Sequence, residues 1–209
     1  MTILITDRDQ KILRYMEEYK YATIDQLQKI FCSWQDSSYN IIRRRMTEIH
    51  KADYIKVDKD KYTNKLVYIW NDKKIKPPSR HRLILLDVLA KLHSTGAEVQ
   101  EFDVEKEWMD GKVRSDGFTI FTAKPNDSKP IRIHYFIEVH LSNSPLNIEK
   151  YDRLYESGEV QKFLNRNVFP RVLLITDRNV KNLDMQYSSV TRLNTKLEPF
   201  LSVSLPPQK

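Results

Sequence analysis

From Ser37 to Lys51 the chain reads Ser-Ser-Tyr-Asn-Ile-Ile-Arg-Arg-Arg-Met-Thr-Glu-Ile-His-Lys, and at helical spacing its apolar and basic residues fall on opposite sides. Tyr39, Ile42, Met46 and Ile49 are expected to face a core, which turns Asn40, Arg43, Arg44 and Thr47 outward, with Ser37 and Ser38 at the start. Arginine forks and a short amide suit both phosphate oxygens and the major-groove edges of guanine and adenine. A run of three arginines also occurs on helices that meet only solvent. The segments around it therefore carry the decision.

Two further helical patterns precede it. The first runs from about Asp7 to Lys20 after Thr6 and places Ile12, Leu13, Met16 and Tyr19 inward. The second covers Ile24 to Cys32, with Ile24, Leu27 and Ile30 or Phe31 inward. Thr23 and Gln26 have the spacing of a capping box, in which each side chain ties off the other's backbone donor. After the basic helix come Tyr54-Ile-Lys-Val57 and Lys65-Leu-Val-Tyr-Ile-Trp70, strand-like runs on either side of a polar tip. The order helix, helix, helix, hairpin predicts a winged helix-turn-helix over residues 1–70. In that geometry the third helix enters the major groove, and Lys59, Lys61 and Lys65 of the hairpin lie along the backbone or the minor groove.

Charge supports the division. Residues 1–76 carry 16 Lys+Arg against 11 Asp+Glu and the remainder 19 against 17, so most of the net +7 sits in the first third. Such a concentration favours a polyanionic partner whose binding falls steeply with salt. Cys32 is the only cysteine, which excludes an intrachain disulfide and a Cys-based zinc site and agrees with a reducing cytosol. With no run of about 18 apolar residues and no basic-then-apolar N-terminal pattern, the sequence predicts a soluble, cytoplasmic protein with no membrane partner.

Asn71-Asp-Lys-Lys-Ile-Lys-Pro-Pro-Ser79 is polar and broken by two prolines, the composition of a linker. Residues 80–209 then read as a second domain. It opens with an amphipathic helix from Arg80 to about His93, with Leu83, Leu86, Leu89 and Ala90 inward. Strands follow at Ala97–Phe102, Gly117–Phe121 and Ile131–Leu141, then a helix from Leu146 to about Leu164 and a strand at Arg171–Thr176 apolar enough to be buried on both faces. Phe200–Leu205 is a further edge-strand candidate. On the third strand Ile131, Ile133, Tyr135, Ile137 and Val139 share one face. Arg132, His134, Phe136, Glu138 and His140 share the other, an alternation expected of a half-exposed antiparallel strand. The predicted class is α+β or α/β: a winged helix followed by a mixed sheet covered by helices.

Asp116 opens one strand and Glu138 lies near the end of the next, so adjacent strands bring both acids to one end of a sheet. Hard oxygen ligands so placed can hold Mg²⁺, a metal-bound water can attack a phosphodiester, and a lysine usually assists. Two residues after Glu138 stands His140 rather than lysine, and Lys150 on the following helix is a second candidate for that role. Asp116 and Glu138 are therefore candidate catalytic acids and metal ligands, with His140 and Lys150 beside them. The plainer reading is a pair of strand-end carboxylates in polar contacts.

Leu4-Ile-Thr-Asp-Arg-Asp-Gln-Lys-Ile-Leu13, Tyr21-Ala-Thr-Ile-Asp-Gln-Leu27 and Ile42-Arg-Arg-Arg-Met46 resemble the opening of the replication-relaxation proteins of plasmids, phages and integrative elements in Gram-positive bacteria. His81 with Leu86-Asp-Val88, Arg114-Ser-Asp116, Phe136-Ile-Glu-Val139 and Phe169-Pro-Arg-Val-Leu-Leu-Ile-Thr176 are similar to that family in order and spacing, so the resemblance covers most of the chain. It implies a winged helix joined to a domain like the PD-(D/E)xK nuclease core (the restriction-endonuclease-like fold), acting in replication or DNA relaxation of a mobile element. It puts Asp116 and Glu138 at the acidic positions. Family members often lack the lysine after the second acid, as this chain does at His140.

Two functions are expected from these residues. One is sequence-specific binding of double-stranded DNA, as a dimer on paired half-sites and with replication or regulatory partners, the second domain serving interaction rather than catalysis. The alternative is a Mg²⁺-dependent endonuclease or nickase steered by the winged helix. A winged helix that binds protein is a third class, marked by an Arg43 and Arg44 surface without salt-dependent DNA affinity.

Overall fold

Two capping boxes set the N-terminal part of the chain. In the computed structural model, which describes residues 3–32, 38–124, 129–181 and 183–198, Thr6 and Asp9 satisfy each other's backbone N–H at the head of α1 (Asp7–Tyr19). Thr23 and Gln26 do the same for α2 (Ile24–Phe31), the pair that the sequence spacing predicts. Ile12, Tyr15 and Met16 are buried on α1, whereas Leu13 and Tyr19, expected inward, are half-buried. The buried stripe runs from Asp9 through Met16 and Ile12 to Tyr15, and Leu13 lies just beyond its Asp9 edge, about 40° around the helix.

Between these helices β1 (Tyr21–Thr23) is too short to be seen as a strand in the sequence. It pairs antiparallel with β3 (Leu66–Trp70), which pairs antiparallel with β2 (Ile55–Lys59), giving a sheet ordered β1-β3-β2. The basic helix α3 spans Ser38–Lys51.

The helix α4 (Arg80–Ser94) corrects the expected domain boundary. The chain divides into compact units Met1–Ser94 and Thr95–Lys209, not at a linker over 71–79. Gln26, beyond capping α2, donates through Nε2 to the Leu83 carbonyl at 3.1 Å and to the Asp87 carboxylate at 2.8 Å, which ties α4 to α2. Leu83 joins Val67 and Ile69 in one buried cluster, with Ile75 and Tyr21 packed against it. The Tyr21 hydroxyl also donates to the Lys76 carbonyl at 2.6 Å, so the proline-containing segment is fastened to the unit. Nor is α4 one-sided: Ile84, Leu85, Val88 and Leu92 are buried along with the expected leucines.

The second unit is built on a mixed sheet of five strands ordered β10-β9-β8-β7-β4. Its elements are β4 (Glu98–Val104), the small hairpin β5 (Glu107–Trp108) and β6 (Val113–Arg114), β7 (Gly117–Ala123), β8 (Ile131–Val139), α5 (Lys150–Ser157), α6 (Glu159–Leu164), β9 (Arg171–Ile175) and β10 (Val190–Leu193). Strand β8 runs antiparallel to β7 and parallel to β9, and β9 runs parallel to β10. The class, mixed α and β with a mixed sheet, is as the sequence predicts; the hairpin β5–β6 and strand β10 are additions to it. Phe200–Leu205 lies outside the described residues.

Two expectations are overturned here. The single helix over 146–164 is two helices, beginning at Lys150 and broken at Gly158, whose left-handed backbone (φ 70°) ends α5. Glycine adopts that conformation without a steric penalty. The half-exposed strand is instead central: a neighbour on each edge and packing on both faces leave His134 7% and Glu138 6% exposed, and Phe136 fully buried. What packs against each face, not alternation, decides whether a polar face meets water. Phe136 sits among Trp108, Phe118, Tyr151 and Phe169, its ring stacked 4.6 Å from that of Tyr151. Phe136→Ala is therefore expected to cost about 3–5 kcal/mol, read as a lower urea midpoint for unfolding of this unit. Among the described residues no helix is long and apolar enough to cross a membrane.

Candidate functional site

On α3 the side chains divide at Arg45. Asn40, Arg43, Arg44 and Thr47 are exposed, as the helical spacing predicts, and Thr47 spends its hydroxyl proton on the Arg43 carbonyl one turn back. Arg44 approaches Glu48 only to 3.9 Å with most of its side chain in solvent, a pairing too loose to restrain it. Arg45 turns the other way. Its guanidinium grips the buried Asp9 through Nε at 2.8 Å and through a terminal nitrogen at 2.7 Å, bonds Glu48 at 2.5 Å, and also reaches the Leu4 carbonyl. Burial alone would raise the Asp9 carboxyl, but hydrogen bonds from Arg45 and Thr6 outweigh it and hold the group below its ordinary range.

Three other expectations on this face change. Ser38 is fully buried and bonds Gln28 Nε2 at 2.9 Å, so it pins α3 to α2 and offers nothing outward. Tyr39, expected in the core, is 41% exposed, because Ser38 takes the inward position one turn before Ile42. With Asp25, Arg43, Lys65 and Leu66 it lines a recess of about 370 Å³. Ser37 lies outside the described residues. On the hairpin Lys59 and Lys61 are exposed, while Lys65 is bound to the Asp25 carboxylate at 2.5 Å, which raises its pKa. Lys65 thus stands as a strut between β3 and α2 and is a poorer phosphate ligand than its neighbours.

In the second unit strand register brings the acids together. Gly117 lies opposite Ile137 in the β7–β8 pair, so Asp116, one residue earlier, comes level with the end of β8 and accepts the Val139 backbone N–H at 2.8 Å through Oδ2. Lys150, at the start of α5, places Nζ 2.7 Å from Glu138 Oε1 and 2.7 Å from the Arg114 carbonyl. The Tyr151 hydroxyl donates to the same Glu138 oxygen. Burial first, then the nearby Asp116 charge, raise the Glu138 pKa, and Lys150 works against them; burial and Glu138 hold the Tyr151 hydroxyl well above its ordinary value. Lys150→Met is expected to move the Glu138 pKa further upward, a shift that carboxyl ¹³C NMR titration reads directly.

Those contacts bear on whether the residues fit a divalent cation. Mg²⁺ takes oxygen ligands in a near-octahedral shell. Here the Glu138 oxygen on the Lys150 side already carries an ammonium and a phenol, and one Asp116 oxygen carries a backbone N–H. Among the described residues no group of three His, Cys, Asp or Glu side chains converges. As they stand, Lys150 and Tyr151 hold one Glu138 oxygen and a backbone N–H holds one Asp116 oxygen, so a cation using those same oxygens would compete with these partners.

His140 takes no part in the contacts on Glu138. Its backbone N–H bonds the Ile175 carbonyl at 2.9 Å, and its side chain lines a polar cleft of about 940 Å³ with Ser142, Asn147, Arg178 and Lys181. His134 is buried, and burial with the charges of Arg132 and Arg166 lowers its pKa. Sequence reasoning missed two contributors. Arg45 carried a visible signal, since its spacing of three from Ile42 and four to Ile49 sets it on the buried stripe. Tyr151 carried none, because only the crossing of α5 over β8 brings it to Glu138.

Compared with family models, curated proteins and solved structures, the chain gives no match in any of the three. Its own side chains are therefore the basis for a function.

Proposed function

We propose that this chain binds double-stranded DNA through its first unit, used as a winged helix-turn-helix, and that it serves replication, relaxation or transcriptional control of a mobile genetic element. The element order α1-β1-α2-α3-β2-β3 with a β1-β3-β2 sheet supports the winged-helix reading. The observation that carries the function is the outer face of α3: Asn40, Arg43, Arg44 and Thr47 together in solvent, with the helix clamped from behind by Arg45 on Asp9. A helix so held presents two guanidinium forks and an amide without first having to order its own backbone, the arrangement base-edge reading requires. Exposed Lys59 and Lys61 extend the cationic surface to the hairpin. The mobile-element role rests on the resemblance to replication-relaxation proteins.

The second unit, on this reading, has a nuclease-like scaffold whose Glu138 is engaged by Lys150 and Tyr151, and it serves interaction. The test is selection of bound fragments from a random DNA pool, with and without Mg²⁺, followed by gel analysis of the recovered strands. A single enriched, uncut motif is the expected result. No enrichment, with affinity independent of salt, would sink the reading in favour of a protein-binding module. Strands cut at a fixed offset only with Mg²⁺, and not by Glu138→Ala, would make the chain an endonuclease and overturn the assignment of the second unit.

A further inference from the structure

The hairpin that follows α3 ends in a turn built with unusual care for a solvent-exposed tip. Asp60 is buried, and its carboxylate accepts the Thr63 backbone N–H at 2.9 Å, the Tyr62 backbone N–H at 3.3 Å and the Thr63 hydroxyl. A closed turn of this kind fixes what the intervening residues present. What it presents is Lys61 and Tyr62, the latter 66% exposed. Facing the turn, the segment from Lys76 to Arg80 is held as firmly: the Lys76 carbonyl takes the Tyr21 hydroxyl, and Ser79 Oγ accepts the Arg82 N–H at 3.1 Å at the head of α4.

Between these anchored walls lies a cleft of about 390 Å³, with Val67, Pro77 and Pro78 among its apolar lining and Lys59, Lys61 and Lys76 at its sides. The Arg80 guanidinium stands 5.6 Å from the Tyr62 ring centroid. Two carboxylates also line the cleft. Asp60 is tied into the turn and held, against burial, below its ordinary range by those hydrogen bonds and by the Arg80 charge. Asp58 accepts the Lys59 N–H at 2.7 Å, so the four cations exceed the acids by two. With Arg80 over one face of the ring, the base of an unpaired nucleotide would stack on the other face of Tyr62 or displace the guanidinium, and the Lys59, Lys61 and Lys76 ammonium groups stand near enough to the ring to meet its phosphate. A recess of this size lies in the range that holds one small ligand such as a nucleotide.

From this we infer that the cleft between the hairpin tip and the Lys76–Arg80 segment binds a single nucleotide of a strand left unpaired beside the duplex held by α3, with Tyr62 as its stacking platform. The inference rests on the DNA-binding reading above. It adds a preference for DNA with a single-stranded extension or gap.

The full chain is titrated by fluorescence anisotropy against a short blunt duplex and against the same duplex carrying a single-stranded extension. The extended duplex should bind about tenfold more tightly, as one stacked base provides. Tyr62→Ala should erase that advantage without changing blunt-duplex affinity, and Tyr62→Phe should retain it, because stacking needs the ring and not the hydroxyl. Thymidine monophosphate at the concentration of the extended duplex should not displace it, since a free nucleotide lacks the contact to α3. Equal binding of the two duplexes by the unaltered chain, or an advantage that survives Tyr62→Ala, overturns the cleft assignment and leaves the duplex-binding reading intact. Displacement by the mononucleotide overturns the assignment to an attached strand. No binding of either duplex fails the underlying reading itself.

Discussion

Replacing Arg43 and Arg44 together with alanine is expected to abolish specific DNA binding, lowering affinity for a selected site by about a hundredfold or more, at roughly 1–3 kcal/mol for each base-reading arginine. Both side chains are exposed, and neither belongs to the clamp on Asp9, so the unfolding transition of the variant should match that of the parent chain. The salt dependence separates two contributions. If the arginines touch phosphates, the slope of affinity against salt becomes shallower by about one for each phosphate no longer neutralised, whereas base-reading arginines reduce affinity without changing the slope. Lys59→Ala with Lys61→Ala should weaken binding uniformly across sequences. Lys65→Ala should do less, because that ammonium is already committed to Asp25. Undiminished affinity in the Arg43, Arg44 double variant, measured by electrophoretic shift on the selected fragment, would remove α3 from the interface.

Arg45→Ala, one position along the same arginine run, is expected to behave in the opposite way. It leaves Asp9 buried with its charge uncompensated, and removing one partner of a buried pair costs about 3–5 kcal/mol. Much of a small unit's stability, about 5–15 kcal/mol in total, is at stake. The variant should show a lower melting temperature and an earlier urea transition for the first unit, with DNA binding reduced only as far as the folded fraction falls. A linked pH effect has a definite sign. Because the folded Asp9 pKa is depressed, its stabilising contribution is fully present above the unfolded carboxylate value of about 3.9 and is lost as pH falls through the lower folded value. The parent chain should therefore lose stability on acidification below that range more steeply than Asp9→Asn, and equal slopes would remove Arg45 as the source of the clamp.

The contrast between neighbouring arginines shows where the sequence was legible. Helical spacing placed Arg43 and Arg44 in solvent and Ile42, Met46 and Ile49 inward, and the same spacing contained the inward position of Arg45. The Thr23–Gln26 capping box was equally plain, since its physics is confined to residues three apart. The second role of Gln26, as a bridge to Leu83 and Asp87, could not be read because its partners lie 57 and 61 residues away. That bridge moves α4 into the first unit, against the two prolines that suggested a boundary before it.

The acid pair follows the same division. Local pattern set Asp116 at a strand start and Glu138 near a strand end, and antiparallel pairing of β7 with β8 brought the two to one end of the sheet. What became of them depended on α5: its first two residues deliver an ammonium and a phenol to Glu138, and the order β9-β8-β7 buries the strand that was expected to be half exposed. By itself the sequence determined the first four helices, most of the strands and the outward face of α3, because these follow from hydrogen bonding and amphipathic spacing within a few residues. The break between α5 and α6 at Gly158 was missed. Only the tertiary structure decided which charges are free to meet a ligand and which are consumed by the protein. Whether a carboxylate binds a cation or neutralises a lysine depends on distances between segments far apart in the chain, which no local spacing records.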